Sequence, residues 1–93
     1  MNIFSNLRVY AGKWSVKETR NFTAEEIAQV SQAVVVPSDY GNSVQFTMVS
    51  GGLTYIPLDH NSNCAIGEVI DLAKAKLTTL KKDGEADIYR VTV

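Results

Sequence analysis

Two strand-like segments around a Gly-Gly dipeptide place the strongest limit on what this chain can fold into. Residues 43–49 alternate apolar and polar side chains, and residues 53–58 follow as a second run of strand-forming residues. Ser50-Gly51-Gly52 separates the runs, which is typical of a β-hairpin. The second run carries bulky side chains on both faces, so we expect a strand covered on both sides, with Tyr55 in the core. Antiparallel β structure is therefore predicted for the centre of the chain.

The amino-terminal third of the chain predicts a strand followed by a capped helix. Residues 7–20 alternate in polarity on either side of Gly12, which indicates one strand bent at the glycine or two short strands. Thr23 and Glu26 have the spacing of a capping box. A short helix is therefore expected from about residue 24 to residue 31 or 32.

Three shorter segments complete the central part of the pattern. Residues 33–36 are apolar and mostly β-branched, and they predict a buried strand that ends at Pro37. Residues 38–42 have the composition of a turn. Residues 67–72 predict another short strand.

Residues 73–82 fit two structures. A helix capped by Asp71 would suit the apolar spacing, whereas Asp83-Gly84 followed by the apolar run 88–93 favours a final hairpin with residues 77–80 as its first arm. We prefer the hairpin because Asp-Gly suits a type I′ turn.

About six strands and one short helix joined by short turns define the predicted class. They indicate a single α+β domain, residues 1–93, that is mostly β: a small antiparallel barrel or a curved, OB-like sheet with one helix. No apolar run approaches the ~20 residues of a membrane span. The first residues lack the pattern of a signal peptide, and Cys64 is the one cysteine. We therefore expect an intracellular, cytoplasmic protein without membrane contact.

Charge is distributed unevenly along the chain. All nine Lys and Arg residues lie within residues 8–20 and 74–90, whereas residues 21–71 carry only acidic charges. A polyanion responds to the local potential rather than to the net charge of −1. A basic face is therefore predicted if the two ends of the chain lie side by side in the fold.

Aromatic residues near glycines add a second feature of proteins that bind single strands, because every base offers a face for stacking. Tyr10, Trp14 and Tyr40 are the stacking candidates, although each could instead belong to the core. Basic residues from both ends supply the candidate phosphate contacts. The predicted nucleic-acid interface comprises Arg8, Tyr10, Lys13, Trp14, Lys17, Arg20, Tyr40, Lys74 and Lys76.

Catalytic and metal-binding patterns are incomplete. His60 and Cys64 are ligand types, but structural zinc needs four ligands and the chain has no second His or Cys. A calcium loop would need glycine at position 64 and glutamate at position 70, where Ile70 stands. Ser50-Gly51-Gly52 lacks the Lys-Ser or Lys-Thr of a phosphate loop. We therefore predict no metal, no cofactor and no enzymatic activity.

Three segments share an order of elements with a known family. They are Ser-Val-Gln-Phe-Thr-Met-Val-Ser-Gly-Gly-Leu-Thr-Tyr-Ile-Pro-Leu (43–58), Gly-Glu-Val-Ile-Asp-Leu (67–72) and Ile-Tyr-Arg-Val-Thr-Val (88–93). In this order they resemble the small OB-fold single-stranded-DNA-binding proteins of bacteriophages, the filamentous-phage type in particular. The helix near residues 23–32 and the absence of Lys and Arg from the central hairpin depart from that pattern. The resemblance implies cooperative, sequence-tolerant coating of single strands by dimers, and it assigns no individual binding residue.

Two functions remain open from the sequence. The first is a non-enzymatic, homo-oligomeric protein that binds single-stranded nucleic acid through a basic and aromatic face. The alternative is a protein–protein or self-assembly module that uses exposed strand edges and has no nucleic-acid role. Trp14 and Arg8 discriminate between them: an open position beside Lys13 and Lys17 favours nucleic acid, and burial favours assembly.

Overall fold

The computed structural model describes residues 13–39 and 41–93. The predicted strand over residues 7–12, together with Arg8, Tyr10 and Tyr40, lies outside the described residues. The described elements, in chain order, are β1 (Ser15–Asn21), α1 (Ala24–Ala28), β2 (Val30–Ser38), β3 (Gly41–Met48), β4 (Leu53–Pro57), β5 (Lys76–Lys81) and β6 (Ile88–Thr92). The predicted α+β class with mostly β structure is confirmed.

The strands form two antiparallel sheets of three strands each. We call β1-β5-β6 the terminal sheet and β2-β3-β4 the central sheet. A parallel bridge between Leu58 and Val91 connects the two sheets, and the Asp59 N–H donates to the Val91 carbonyl at 2.7 Å. Within the described residues the strands close no barrel, so the curved-sheet alternative is the one that the structure confirms.

The core lies between the inner faces of the two sheets. One row of buried side chains crosses the central sheet and consists of Val35, Val44 and Ile56. A second row crosses the terminal sheet and consists of Leu77 and Val91. Phe46 is fully buried, and its ring centroid lies 6.3 Å from that of Phe22. Because side chains alternate along a strand, these buried rows fix which residues point outward.

Helix α1 begins as predicted and ends early. The Glu26 N–H donates to Thr23 Oγ1 at 3.1 Å, and the Thr23 N–H donates to Glu26 Oε1 at 2.9 Å, which confirms the capping box. The predicted end at residue 31 or 32 is wrong, because α1 ends at Ala28 and β2 begins at Val30. Residues 30–32, whose spacing also suited a helix, instead belong to β2, which pairs with β3.

Strand β2 runs through Pro37, so the prediction that this proline ends the strand is wrong. The Val35 N–H donates to the Glu68 carbonyl, and the Val35 carbonyl accepts from the Gly67 N–H. Both groups of Val35 therefore point away from β3, and the ring nitrogen of Pro37, two residues on, points the same way. Proline costs the β2–β3 ladder no hydrogen bond at this position.

The predicted strand over residues 67–72 is reduced to a single antiparallel bridge between Val69 and Val34. The segment follows the outer edge of β2 through the two bonds of Val35 and through the Ile70 N–H, which donates to the Ala33 carbonyl at 2.8 Å. Ile70 is buried in the core, which anchors the segment against β2.

The final hairpin is confirmed, but its turn is not the predicted one. Residues 82–87 connect β5 to β6, so Asp83-Gly84 does not form a two-residue loop. A type I′ turn needs positive φ at both central residues, and among the described residues only glycines have positive φ. Gly84 has φ of 79°, and the Glu85 N–H donates to the Lys82 carbonyl at 3.0 Å. These features are typical of a type II turn inside a longer loop.

Candidate nucleic-acid interface

The two basic segments are neighbours in the fold. Strand β1 pairs antiparallel with β5, so that Ser15 lies opposite Lys81 and Asn21 lies opposite Lys76. Strand β5 is the middle strand of the terminal sheet and also pairs with β6. The terminal sheet therefore supplies the adjacency that a basic face requires.

Trp14 lies just before β1 and is half-buried. The Nζ atom of Lys82 lies 5.7 Å from the centroid of the Trp14 ring, within the range of a cation–π interaction. Lys13 is exposed beside it. Trp14 is thus neither fully open nor fully buried, and Arg8 lies outside the described residues, so the choice between the two functions depends on other observations.

Arg20 is joined to helix α1 by a bidentate ion pair. Its Nη1 and Nη2 atoms donate to Glu26 Oε1 and Oε2, each at 2.8 Å, and Nη1 also donates to the Asn21 carbonyl. The hydrogen bonds from Arg20 lower the pKa of Glu26 below its usual value, and the pKa of Arg20 is raised by the same contact. The charge of Arg20 is therefore compensated, and the pair holds the start of α1 against the end of β1.

Lys17 is also paired with an acid. The register of β1 against β5 shifts between Val16 and Glu18, so Lys17 occupies a β-bulge. Its Nζ atom lies 2.9 Å from Asp87 Oδ2, on the loop between β5 and β6. The hydrogen bond and the negative charge of Asp87 raise the pKa of Lys17. This cation is exposed but partly neutralised by its neighbour.

A group of polar residues occupies part of the outer face of the terminal sheet, and we call it the polar patch. It consists of two rows across the three strands: Thr19, Thr78 and Arg90, and Asn21, Lys76 and Thr92. The hydroxyl oxygens of Thr19 and Thr78 lie 3.1 Å apart, and Lys76 Nζ donates to Asn21 Oδ1. Both contacts show that the rows share one face, opposite Leu77 and Val91. On this face Thr78 is itself buried, and the next row toward the loop, Leu80 and Ile88, is buried as well.

Arg90 belongs to the polar patch and was absent from the predicted interface. Within the described residues it forms no ion pair, and no carboxylate lies on the patch. The alternation around it could have identified it, because Tyr89 and Val91 on either side are buried and Arg90 must point the other way.

The predicted lysines differ in position. Lys76 lies on the polar patch, whereas Lys74 is exposed in the turn that precedes β5. Arg20 lies on the opposite face of the terminal sheet from Lys76, because its partner across the ladder is Leu77. The described part of the predicted interface is therefore divided between two faces.

The outer face of the central sheet carries no charged residue among those that the structure describes, and we call it the uncharged face. Its three rows are Gln32, Thr47 and Leu53; Val34, Gln45 and Tyr55; and Val36, Ser43 and Pro57. Val69, 61% exposed, continues the middle row beside Val34.

Tyr55 is 41% exposed, so its predicted place in the core is wrong. The prediction that β4 is covered on both sides is wrong for the same reason: Ile56 is buried, and Leu53 is 56% exposed. Tyr55 lies opposite Gln45, whose Nε2 atom donates to Tyr55 Oη at 2.8 Å. The apolar residues of β4 therefore divide between the core and an open surface.

The described residues contain no group of three or more His, Cys, Asp or Glu side chains that could hold a metal ion. Cys64 is half-buried, and burial together with Glu68 raises the pKa of its thiol. A raised pKa leaves little thiolate at neutral pH, so the arrangement does not favour a nucleophile. No described helix is long and apolar enough to cross a bilayer.

Comparison of the chain with protein-family models, curated proteins and solved structures finds no match. The resemblance to the bacteriophage proteins therefore stays a prediction. The contacts, charges and exposure of the chain's own residues are the basis for the function proposed below.

Proposed function

We propose that this protein binds single-stranded nucleic acid without strong sequence preference and without catalysis. The pairing of β1 with β5 carries the proposal, because it joins the two basic segments in one sheet. Residues 13–21 and 74–93 hold eight basic and four acidic side chains, a net charge of +4, whereas residues 22–73 hold six acidic and no basic side chains, a net charge of −6. A polyanion would be drawn to the terminal sheet and repelled from the rest.

A single strand suits this charge pattern better than a rigid duplex. The cations lie on different faces and at the edge of a small curved sheet, and a flexible strand can follow such a surface. Contacts to phosphates carry no sequence information, so tolerance of sequence follows from the same arrangement. Trp14 beside Lys13 offers a partly exposed ring near this surface.

Fluorescence anisotropy with a labelled oligo-dT and a duplex of equal length, measured over a salt series, tests the proposal. We expect the single strand to bind more tightly, with an affinity that falls by a log–log slope of roughly −0.7 for each phosphate contacted. Trp14 emission should change in the same titration, because the single tryptophan lies beside the basic sheet. Absence of binding at low salt would refute the proposal.

The uncharged face favours a second candidate function, self-assembly. A symmetric dimer places the same surface on both subunits, and a face without charged residues can meet itself without like-charge repulsion. Leu53 and Tyr55 would supply apolar contact area at one edge of the face, and Val69 at the other. A second copy of the chain is therefore the partner we propose for this face.

Sedimentation equilibrium of the wild type and of Leu53→Lys tests self-assembly. We expect a dimer for the wild type and a monomer for the variant, because two lysines would meet across the interface. Val16→Lys is the matched control, since Val16 is 62% exposed but lies on the terminal sheet. A monomeric wild type at high protein concentration would reject this candidate.

A further inference from the structure

The polar patch places two cations at close spacing on a rigid surface. Lys76 lies opposite Thr92, and Arg90 lies two residues before Thr92 on the same strand. Lys76 and Arg90 are therefore diagonal neighbours on adjacent strands, with Cα atoms about 7–8 Å apart. Both residues lie on paired strands rather than in a loop, so the distance between their Cα atoms is fixed by the sheet.

The charges of these two residues are less compensated than those of Lys17 and Arg20. Lys76 bonds to the neutral amide of Asn21, which leaves its positive charge uncancelled. Arg90 is half-buried and has no ion pair within the described residues. A half-buried guanidinium that pairs with no acid in the described part of the chain has a fork of donors to offer an external anion.

Three of the remaining groups of the polar patch, Asn21, Thr19 and Thr92, can donate hydrogen bonds outward. Asn21 accepts from Lys76 through Oδ1, so its amide N–H groups stay available. In the pair formed by Thr19 and Thr78, Thr78 is buried at 7% exposure, whereas Thr19 is exposed and can donate its own proton outward when it accepts from Thr78. Thr92 adds a third hydroxyl beside Lys76. Hydroxyl and amide donors around cations are the groups that commonly contact phosphate oxygens.

We infer that the polar patch binds the phosphate groups of the single strand, with Arg90 and Lys76 as its two cationic contacts. This inference rests on the proposed function and gives it a location in which Lys76 was predicted from the sequence and Arg90 was not. Arg90 is the bidentate contact, since its planar guanidinium matches two phosphate oxygens. Lys76 binds a second phosphate or the far side of the same one. Arg20, joined to Glu26, holds α1 and contributes no phosphate contact.

Substitutions that remove one charge at a time test the location. Arg90→Gln and Lys76→Gln remove the two cations, and Lys81→Gln is the matched control because Lys81 lies on the same strand as Lys76 but on the other face. For oligo-dT at fixed salt we expect affinity losses of about tenfold for Arg90→Gln and about threefold for Lys76→Gln. The loss for Lys81→Gln should stay under about twofold.

Two further measurements identify what the patch recognises. The double variant should lower the magnitude of the salt slope by about 1.4, which corresponds to two lost phosphate contacts on a single strand. An abasic strand of equal length should show the same sensitivity to Arg90→Gln, because the contact is to the backbone. Arg90→Lys should bind with intermediate affinity, since it keeps the charge and loses the fork.

The outcomes separate the inference from the proposed function. If the wild type does not bind oligo-dT, the proposed function itself fails. If the wild type binds and Lys81→Gln weakens binding as much as Arg90→Gln and Lys76→Gln do, the function stands and the location is wrong. If orthophosphate at constant ionic strength displaces the strand at equal phosphate concentration, the patch is a site for free phosphate and the inference is overturned. Thermal unfolding of each variant confirms that the compared proteins are folded.

Discussion

The outer faces of the two sheets differ in chemistry although the sheets are built alike. Each sheet has three antiparallel strands, with one face in the shared core. The terminal sheet presents cations, threonines and an asparagine on its polar patch, whereas the central sheet presents glutamines, small polar residues and exposed apolar side chains. The inner faces form the shared core, and Leu80 and Ile88 are buried on the outer face of the terminal sheet as well. The exposed parts of the outer faces are free to differ and carry the information about partners.

The shared core is the first place to test this comparison, because it should respond most strongly to substitution. Phe46→Ala removes a fully buried ring of the central sheet and should cost about 3–5 kcal/mol of unfolding free energy. Tyr55→Ala, on the uncharged face of the neighbouring strand, should cost about 1 kcal/mol or less. Urea unfolding followed by circular dichroism and by the emission of Trp14 measures both.

Trp14 makes this experiment a test of coupling between the sheets. It precedes β1 on the terminal sheet, whereas Phe46 lies on the central sheet. If the two sheets unfold as one cooperative unit, Phe46→Ala should lower the urea midpoint of the circular dichroism signal and of the Trp14 emission by the same amount. Separate midpoints would show that the sheets unfold independently. If Phe46→Ala does not fold, Phe46→Leu should show a smaller shift in the same direction.

The helix between the two sheets gives the next largest effect. Glu26→Gln keeps an acceptor for the Thr23 N–H but loses the ion pair with Arg20, which should cost about 1 kcal/mol at pH 7. The folded-state pKa of Glu26 is lowered, so its contribution is fully present above its unfolded pKa of about 4.3 and is lost as the pH falls through the folded value. The stability gap between wild type and variant should therefore shrink below about pH 4.

Urea unfolding at pH 7 and at pH 3 measures this gap. Glu25→Gln is the control, because Glu25 is in the same helical turn but is exposed. A gap for Glu26→Gln that is equal at both pH values would show that the carboxylate does not stabilise the junction between the sheets.

Local features of the chain could be predicted from the sequence, and tertiary ones could not. The capping box of Thr23 and Glu26 and the hairpin at Gly51-Gly52 depend on neighbouring residues, and both are present. The exposure of Tyr55 could not be predicted, because β4 carries apolar residues on both faces and the sequence does not say which face the second sheet covers.

The candidate site shows the same division. Alternation alone places Arg90 opposite its buried neighbours, so this residue was within reach of the sequence. The pairing of β1 with β5 was not, because strand order depends on how the whole chain packs. Lys17 and Asp87 lie 70 residues apart in the chain, and their contact depends on that pairing, so it could not be predicted from the sequence either.

A smaller effect is expected where the terminal sheet neutralises its own charge. Asp87→Asn releases Lys17 from its ion pair and should raise the affinity for oligo-dT by about two- to threefold. Asp83→Asn, in the same loop, makes an equal change in net charge and is the matched control. Anisotropy at fixed salt compares the two. An equal gain from both variants would mean that net charge, rather than the freed lysine, determines binding.

The smallest effect is expected from a new cation on the other sheet. Thr47 lies on β3, the middle strand of the central sheet, between Gln32 and Leu53 on the uncharged face. Thr47→Lys adds one positive charge, as Asp87→Asn does, but on the outer face of the other sheet, so the affinity for oligo-dT should change by less than about twofold. The same variant should dissociate a dimer formed through the uncharged face, because two lysines would meet across it. If Thr47→Lys instead raises the affinity as much as Asp87→Asn, both outer faces contact the strand and the functional distinction between the two sheets disappears.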